Sequence, residues 1–394
     1  MSAHAAAHAA PVGGRLWTRP FQVLVAIALL GAAVAAVRFA RGLGAVANLN
    51  DGYPWGVWIG IDVVVGTALG CGGYAVAILA YVLNQGRYHP VVRPAVLTGL
   101  LGYGFAALGV IVDLGRFWDL WKVPIFFWRW SGSPQLEVAL CVMAYVAVLL
   151  VEASPAMLEK LAGIPRWQGF ARRALRLLDR LLPFILAAGL LLPTMHQSSL
   201  GTMMLLPGPR VHPLWFTRLL PLLFLVNSVI IGYAVVILEA SFSARAFGRP
   251  RHAALLTALS RVAGRVALLW AAMRVAEVAW AGELGLIRGG VGLAFVAEVA
   301  LPVAGAAILL ARRLGAREVG QVRAAILLLL GGVLFRIDTY LVAFQPGPQW
   351  SYFPSVPELL ITFGMIAAEV ALYVAAVKTF PILSAPAAPA RSPR

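Results

Sequence analysis

Two tryptophans and an acid, Trp55, Trp58 and Asp62, follow Tyr53-Pro54 at intervals of three and four residues. On a helix these intervals place two indoles above one carboxylate on a single face. Gly56 and Gly60, then Gly66 and Gly70, add small-residue spacing that admits a close neighbour or a flat ring beside that face. An aromatic belt at a membrane surface accounts for Tyr53 and part of Trp55, but not for Asp62. Asp113 and Arg116 form a second acid–base set around Gly115, where Arg116 would hold Asp113 ionised and oriented. A third is His196-Gln197-Ser198-Ser199, followed by His212-Pro213-Leu214-Trp215. These residue types suit proton exchange with a bound ring, since a donor must come within hydrogen-bond reach of the atom it protonates.

The elements that carry them are apolar and long. Ten stretches, near 21–41, 55–83, 91–113, 135–158, 178–199, 213–239, 253–280, 289–311, 323–344 and 357–380, are each long enough to cross a bilayer, which takes about 20 residues at 1.5 Å rise. With 61% hydrophobic and 12% charged residues, the composition is that of an all-α polytopic membrane domain over 15–380. The Ala/His-rich residues 1–14 carry no cleavable-signal pattern, and they and the Pro/Ala-rich residues 381–394 read as disordered tails. Lys and Arg fall unevenly: the side holding 84–93, 159–180, 240–252, 312–323 and both termini carries twenty, against eight on the other. That asymmetry puts both termini in the cytoplasm. The net charge of +16 is thereby assigned to topology and anionic lipid, and no nucleic-acid role follows from it.

An ionisable side chain at membrane depth costs roughly 2.5–3.5 kcal/mol even on insertion scales, so each needs a partner, water or a function. Glu137 and Glu152 lie near opposite ends of the fourth stretch, and Asn227 and Glu239 are in the sixth. Arg261, Arg265, Arg274 and Glu277 occupy the seventh, with Glu298, Arg336, Asp338 and Glu369 in the last three. One reading is ion pairing that fixes helix registry: Arg274 with Glu277 three residues on, and Arg261 and Arg265 with Glu298 or Glu369. The other is a proton path through Glu152, Glu239, Glu298, Asp338 and Glu369. Cys71 and Cys141 lie in separate spans, too few for an iron–sulfur cluster. The six histidines are in tails, loops or span ends, so no haem and no metal site is expected. A phosphate loop, a dinucleotide fingerprint and a hydrolase elbow are all missing.

The stretches Asn48-Leu49-Asn50-Asp51-Gly52-Tyr53-Pro54-Trp55-Gly56, Asp113-Leu114-Gly115-Arg116, His196-Gln197-Ser198-Ser199-Leu200-Gly201 with His212-Pro213-Leu214-Trp215, and Arg336-Ile337-Asp338-Thr339-Tyr340 with Tyr352-Phe353-Pro354-Ser355 carry a resemblance. The chain resembles the NrfD/polysulfide-reductase membrane-subunit family, most closely its ten-span HybB branch, the membrane subunit of quinone-linked nickel–iron hydrogenases. That resemblance implies two four-helix bundles, about 55–200 and 213–344, with flanking helices and no redox centre in this chain. It also implies a quinone, favouring menaquinone, near the outer face. A ferredoxin-like iron–sulfur subunit and hydrogenase small and large subunits, or other oxidoreductase subunits, would dock there. Tyr53, Trp55, Gly56, Trp58, Asp62, Asp113, Arg116, Glu137, His196 and Gln197 are the expected quinone-binding residues, with His196, Asp62 or Asp113 exchanging protons. Relatives with Ser-Pro-Met-Ser-Trp-Gly before the fourth span differ from Ser133-Pro134-Gln135-Leu136-Glu137-Val138 here, where Glu137 could replace a polar contact. The competing classes are a secondary transporter, whose mark would be helices broken by Pro183, Pro193, Pro221 or Pro302, and a structural anchor that binds no quinone.

Overall fold

The computed structural model describes residues 9–386. Its long elements are helices: α1 (Arg19–Arg41), α2 (Trp58–Val82), α3 (Gly86–Asp113), α4 (Pro134–Ala162), α5 (Pro165–Met203), α6 (Leu220–Phe247), α7 (Ala253–Trp280), α8 (Gly289–Leu310), α9 (Glu318–Val342) and α10 (Val356–Thr379). Two isolated bridges, Ala9 with Ser384 and Val211 with Phe344, are the only strand-like pairing among the described residues. Helices suit hydrocarbon because every backbone group is satisfied within its own segment. Among the described residues, nine helices, all but α5, are long and apolar enough to cross a membrane, as befits a multi-pass integral membrane protein. α5 contains the expected stretch 178–199 but starts earlier. Its first half carries Arg166, Arg172, Arg173, Arg176 and Arg180, and one continuous 39-residue helix joins that amphipathic arm to the apolar part.

The breaks at proline that would mark a transporter do not occur. α5 continues through Pro183 and Pro193 and α8 through Pro302, while Pro221 is in the first turn of α6, where its missing N–H costs nothing. The irregularities lie elsewhere. Trp58–Val63 and Ile78–Val82 at the two ends of α2, and Asp338–Val342 closing α9, are π-helical, with bonds such as Leu83 N to Ile78 O (2.9 Å) and Ala343 N to Asp338 O (2.6 Å).

Neighbours in sequence are neighbours in space from α2 to α5 and again from α6 to α9, and α9 returns to α6. α6 also lies against α2 and α5, joining the two groups, while α1 and α10 pair on the outside and α10 touches α3. The α1–α10 crossing is close because Gly31 and Gly364 meet: a Cβ on Gly31 would stand 2.7 Å from the Gly364 Cα. The tails correct the sequence expectation in part. Ala10 N bonds to Leu383 O (3.0 Å), Val12 N to Val377 O (2.9 Å), and Ile382 and Leu383 are buried, so residues 9–14 and 381–384 are held together rather than disordered. Residues 1–8 and 387–394 lie outside the described residues.

Candidate functional site

One fully enclosed polar cluster is built around Arg336 of α9, which has no exposed surface. Its Nε donates to Asn227 Oδ1 (2.7 Å), Nη1 to Val64 O (2.8 Å), and Nη2 to both Gln197 Oε1 (2.8 Å) and Phe224 O (2.9 Å). Arginine can only donate, so the Gln197 atom facing it is the carbonyl oxygen. The Gln197 amide nitrogen then points the other way, to Thr67 Oγ1 (3.2 Å) and to His196 Nε2 (3.1 Å). Tyr103 Oη lies 2.6 Å from the same His196 Nε2 and 3.3 Å from Cys71 Sγ. A nitrogen approached by an amide N–H is an acceptor, which makes His196 a neutral imidazole with its proton on Nδ1. That Nδ1 is buried and has no partner. Five helices, α2, α3, α5, α6 and α9, thus converge on one histidine whose free N–H is fixed by a chain of donors beginning at a guanidinium.

The acids expected beside His196 lie elsewhere. Asp62 Oδ2 accepts from Thr362 Oγ1 (2.8 Å) on α10, while Val64 and Thr67, on another side of α2, serve the Arg336 cluster. Trp58 is buried and its Nε1 reaches Glu358 O (3.3 Å), whereas Trp55 bonds Tyr340 O (3.0 Å) at the end of α9. The two indoles therefore do not stand on one face. Trp55 precedes the helix and Trp58 opens a π-turn, so the 3.6-residue period behind that expectation does not apply. Nor does Gly56 leave room for a ring, since a Cβ there would collide with the Tyr352 hydroxyl.

Arg116 is exposed and does not hold Asp113. Instead the buried Arg38 of α1 bonds the carbonyls on either side of Asp113, Val112 O (2.6 Å) and Leu114 O, leaving Asp113 Oδ1 without a partner. Nearby, Glu358 gathers the loops. Its Oε1 accepts from Tyr352 Oη (2.7 Å), and its Oε2 accepts from Ser355 N (2.7 Å) and Asn48 N (3.0 Å). Burial, with the Glu358 carboxylate beside it, pushes the Tyr352 phenol up, which keeps it a donor. Tyr352 Oη in turn accepts from Val57 N (2.8 Å) at the entrance to α2. Sequence reasoning missed Arg38, Tyr103 and Glu358. Only Glu358 had a signal, the Ser-x-x-Glu capping box that Ser355 completes.

The expected proton path divides among separate clusters. Glu298 accepts from Arg274 Nε (3.0 Å) and Trp215 Nε1 (2.9 Å), and Arg274 also pairs with Glu277 as expected. Arg261 and Arg265 are exposed and pair with neither Glu298 nor Glu369. Asp338 lies beside Glu298 in the same cluster, although its Oδ2 is buried without a hydrogen-bond partner. Glu239 accepts from Tyr373 and from Ser243 (2.8 Å), and Glu369 is two turns along α10 from Thr362. Glu137 is exposed in the first turn of α4, where a carboxylate favours the helix terminus. Glu152 faces a cleft of about 510 Å³ between α2, α3, α4, α5 and α10. This cleft ends at Tyr145, whose ring meets Tyr103 edge-on at 4.6 Å.

Known proteins align with most of this chain. A family model for polysulphide reductase, NrfD, matches residues 45–343. The probable Ni/Fe-hydrogenase 2 b-type cytochrome subunit of Escherichia coli (strain K12) is 35% identical over 95% of this chain and 94% of its own length. The menaquinone reductase integral membrane subunit of Nitratidesulfovibrio vulgaris is 28% identical over 62% of this chain and 58% of its own, and a selenate reductase subunit of Mesobacillus selenatarsenatis is 23% identical over 56% of each. The first of these names implies a haem, but the donor set here does not fit one. His196 is the one buried histidine among the described residues, and its Nε2 is already engaged by Tyr103 and Gln197. The motif stretches, the helical architecture and a family match over most of its length make this chain a member of the polysulphide reductase NrfD family.

Proposed function

We propose that this protein is the quinone-reactive membrane subunit of a multisubunit respiratory oxidoreductase of the nickel–iron hydrogenase type. An iron–sulfur partner on the outer face exchanges electrons with a membrane quinone, menaquinone by analogy with the reductase relative. The relatives' names, a hydrogenase subunit and a menaquinone reductase subunit, support the setting. In this reading α5 is the tenth span, the arginine-rich connections and both termini are cytoplasmic, and His196 lies in the outer half, about 10 Å from the end of α5 at Met203.

One observation carries the chemistry: a buried imidazole Nδ1 without a protein partner, to which the bonds made at Nε2 assign the proton. A quinone carbonyl is an acceptor of the matching kind. Reduction of the ring consumes two electrons and two protons, and the His196–Tyr103 pair supplies a donor and its neighbour in line. Asp113, Asp62, Glu369 and Glu239, which face or sit on α10 and its neighbours, serve proton delivery rather than the ring itself. Replacing His196 with Ala is expected to lower quinone-linked electron transfer by about 100-fold or more while the partner reduces a soluble dye as before. Tyr103→Phe, which keeps the ring packing, gives a smaller loss. A quinone rate unchanged in His196→Ala refutes the assignment, and a wild-type complex indifferent to quinone supports a purely structural anchor instead.

A further inference from the structure

The cleft of about 510 Å³ is not used by the chemistry above, and its size is that of a ligand site, for which about 300–1,000 Å³ is typical. Its walls are mostly apolar, including Leu97, Leu182 and Ala376 from three different helices. Its mouth is not. Arg93 lines it and pairs with Glu159 (2.5 Å), and Lys160 Nζ stands 5.1 Å from the ring of Phe380, another wall residue. On α5 the wall residues Leu175, Asp179, Leu182 and Leu186 follow one another at intervals of three and four. Three residues before Leu175 is Arg172, so the same stripe continues one turn outward as a cation.

Beside it the α5 arm carries Arg166, Arg173, Arg176 and Arg180, all exposed, and among the described residues none of these five arginines forms a salt bridge with a carboxylate. Of the carboxylates that line the cleft, Glu159 is taken by Arg93, Asp179 stands alone, and Glu152 lies deeper, against Gly189 of α5. An apolar slot that opens under unneutralised arginines, at the level where a membrane helix meets the headgroups, has the polarity of a lipid with a negative head. A neutral ring or tail would fill the slot but leave the cations unmatched.

We propose that the cleft between α2, α3, α4, α5 and α10 is a site for an anionic glycerophospholipid, with an acyl chain against Leu182 and Ala376 and the phosphate at Arg172 and Arg176. Such a lipid fixes the α5 arm against the body of the protein. The test uses the protein purified from native membranes with the subunits that accompany it, washed free of lipid in detergent. Phosphatidylglycerol or phosphatidylcholine with identical chains is added back, and retained lipid and the thermal midpoint are measured. Phosphatidylglycerol is expected to be retained and to raise the midpoint, and phosphatidylcholine to do neither. The double variant Arg172→Gln with Arg176→Gln weakens phosphatidylglycerol retention about tenfold or more, and Leu182→Trp, which fills the slot, removes it with the arginines in place. Should either variant fail to fold, the wild-type contrast between the two lipids and its loss in high salt carry the same information. Equal retention of both lipids, retention insensitive to salt and to both variants, or a quinone recovered from the cleft in place of phospholipid overturns the proposal.

Discussion

Arg336 is a full charge placed at membrane depth with neutral partners. Insertion of an arginine at such depth costs roughly 2.5–3.5 kcal/mol, and four hydrogen bonds from a charged donor, each worth about 1.5–3 kcal/mol, are enough to offset it. Those bonds also transmit orientation, because Asn227, Gln197 and then His196 take their rotamers from a group that can only donate. Replacing Arg336 with Leu leaves the Asn227 and Gln197 oxygens buried and unpaired. The expected loss is about 3 kcal/mol of stability, read as a lowered thermal midpoint of the purified complex, together with lost quinone activity because Gln197 is free to flip. Arg336→Lys, a point charge in place of a fork, recovers part of the stability and less of the activity. A Leu variant as stable and as active as the wild type would show that the cluster neither holds the helices nor sets the histidine.

At the scale of elements, Glu358 is the junction through which the 48–57 loop, the 350–355 loop and the start of α10 are tied together. Removing its side chain in Glu358→Ala takes away one helix cap, worth about 1 kcal/mol, and frees the Asn48 and Ser355 amides together with the Tyr352 hydroxyl. Amide hydrogen exchange at Asn48, Val57 and Ser355 should rise by about tenfold or more, with α7 and α8 unchanged. A uniform rise across the molecule would instead indicate global destabilisation. This junction also shows what hydropathy makes legible. Apolar length located the helices because it is a local property of the chain; the Ser355-to-Glu358 cap is equally local, but it went unread. The pairing of Asn48 with a residue more than 300 positions away is not local, and nothing in the spacing of Trp55, Trp58 and Asp62 announced a π-turn. Arg38 was counted with the loop charges because it lies three residues from the end of α1, yet the helix end buries it against α3. His196 and Gln197 were picked from residue type and from the family stretch they belong to. Their setting became visible only when α9 brought in Arg336.

For the whole molecule, the uneven distribution of arginine is a statement about sidedness that needs no knowledge of the site. The 117–130 segment, with exposed Trp118, Trp121, Trp128 and Trp130, joins α3 to α4 at one membrane surface. The 312–317 connection, with Arg312, Arg313 and Arg317, joins α8 to α9. An odd number of crossings separates the two only if α5 spans, because α4 to α8 then contribute five passes. The charge rule places 312–317 in the cytoplasm and 117–130 outside. Both native cysteines are buried, so single introduced thiols can be read against a low background. In intact cells Ser131→Cys should react with a membrane-impermeant maleimide, and Ala316→Cys only after the membrane is opened. Labelling of both from the same side would mean that α5 lies along the surface rather than across the bilayer. It would also move the end of α5 at Met203, and with it His196, to the wrong face for an outer iron–sulfur partner.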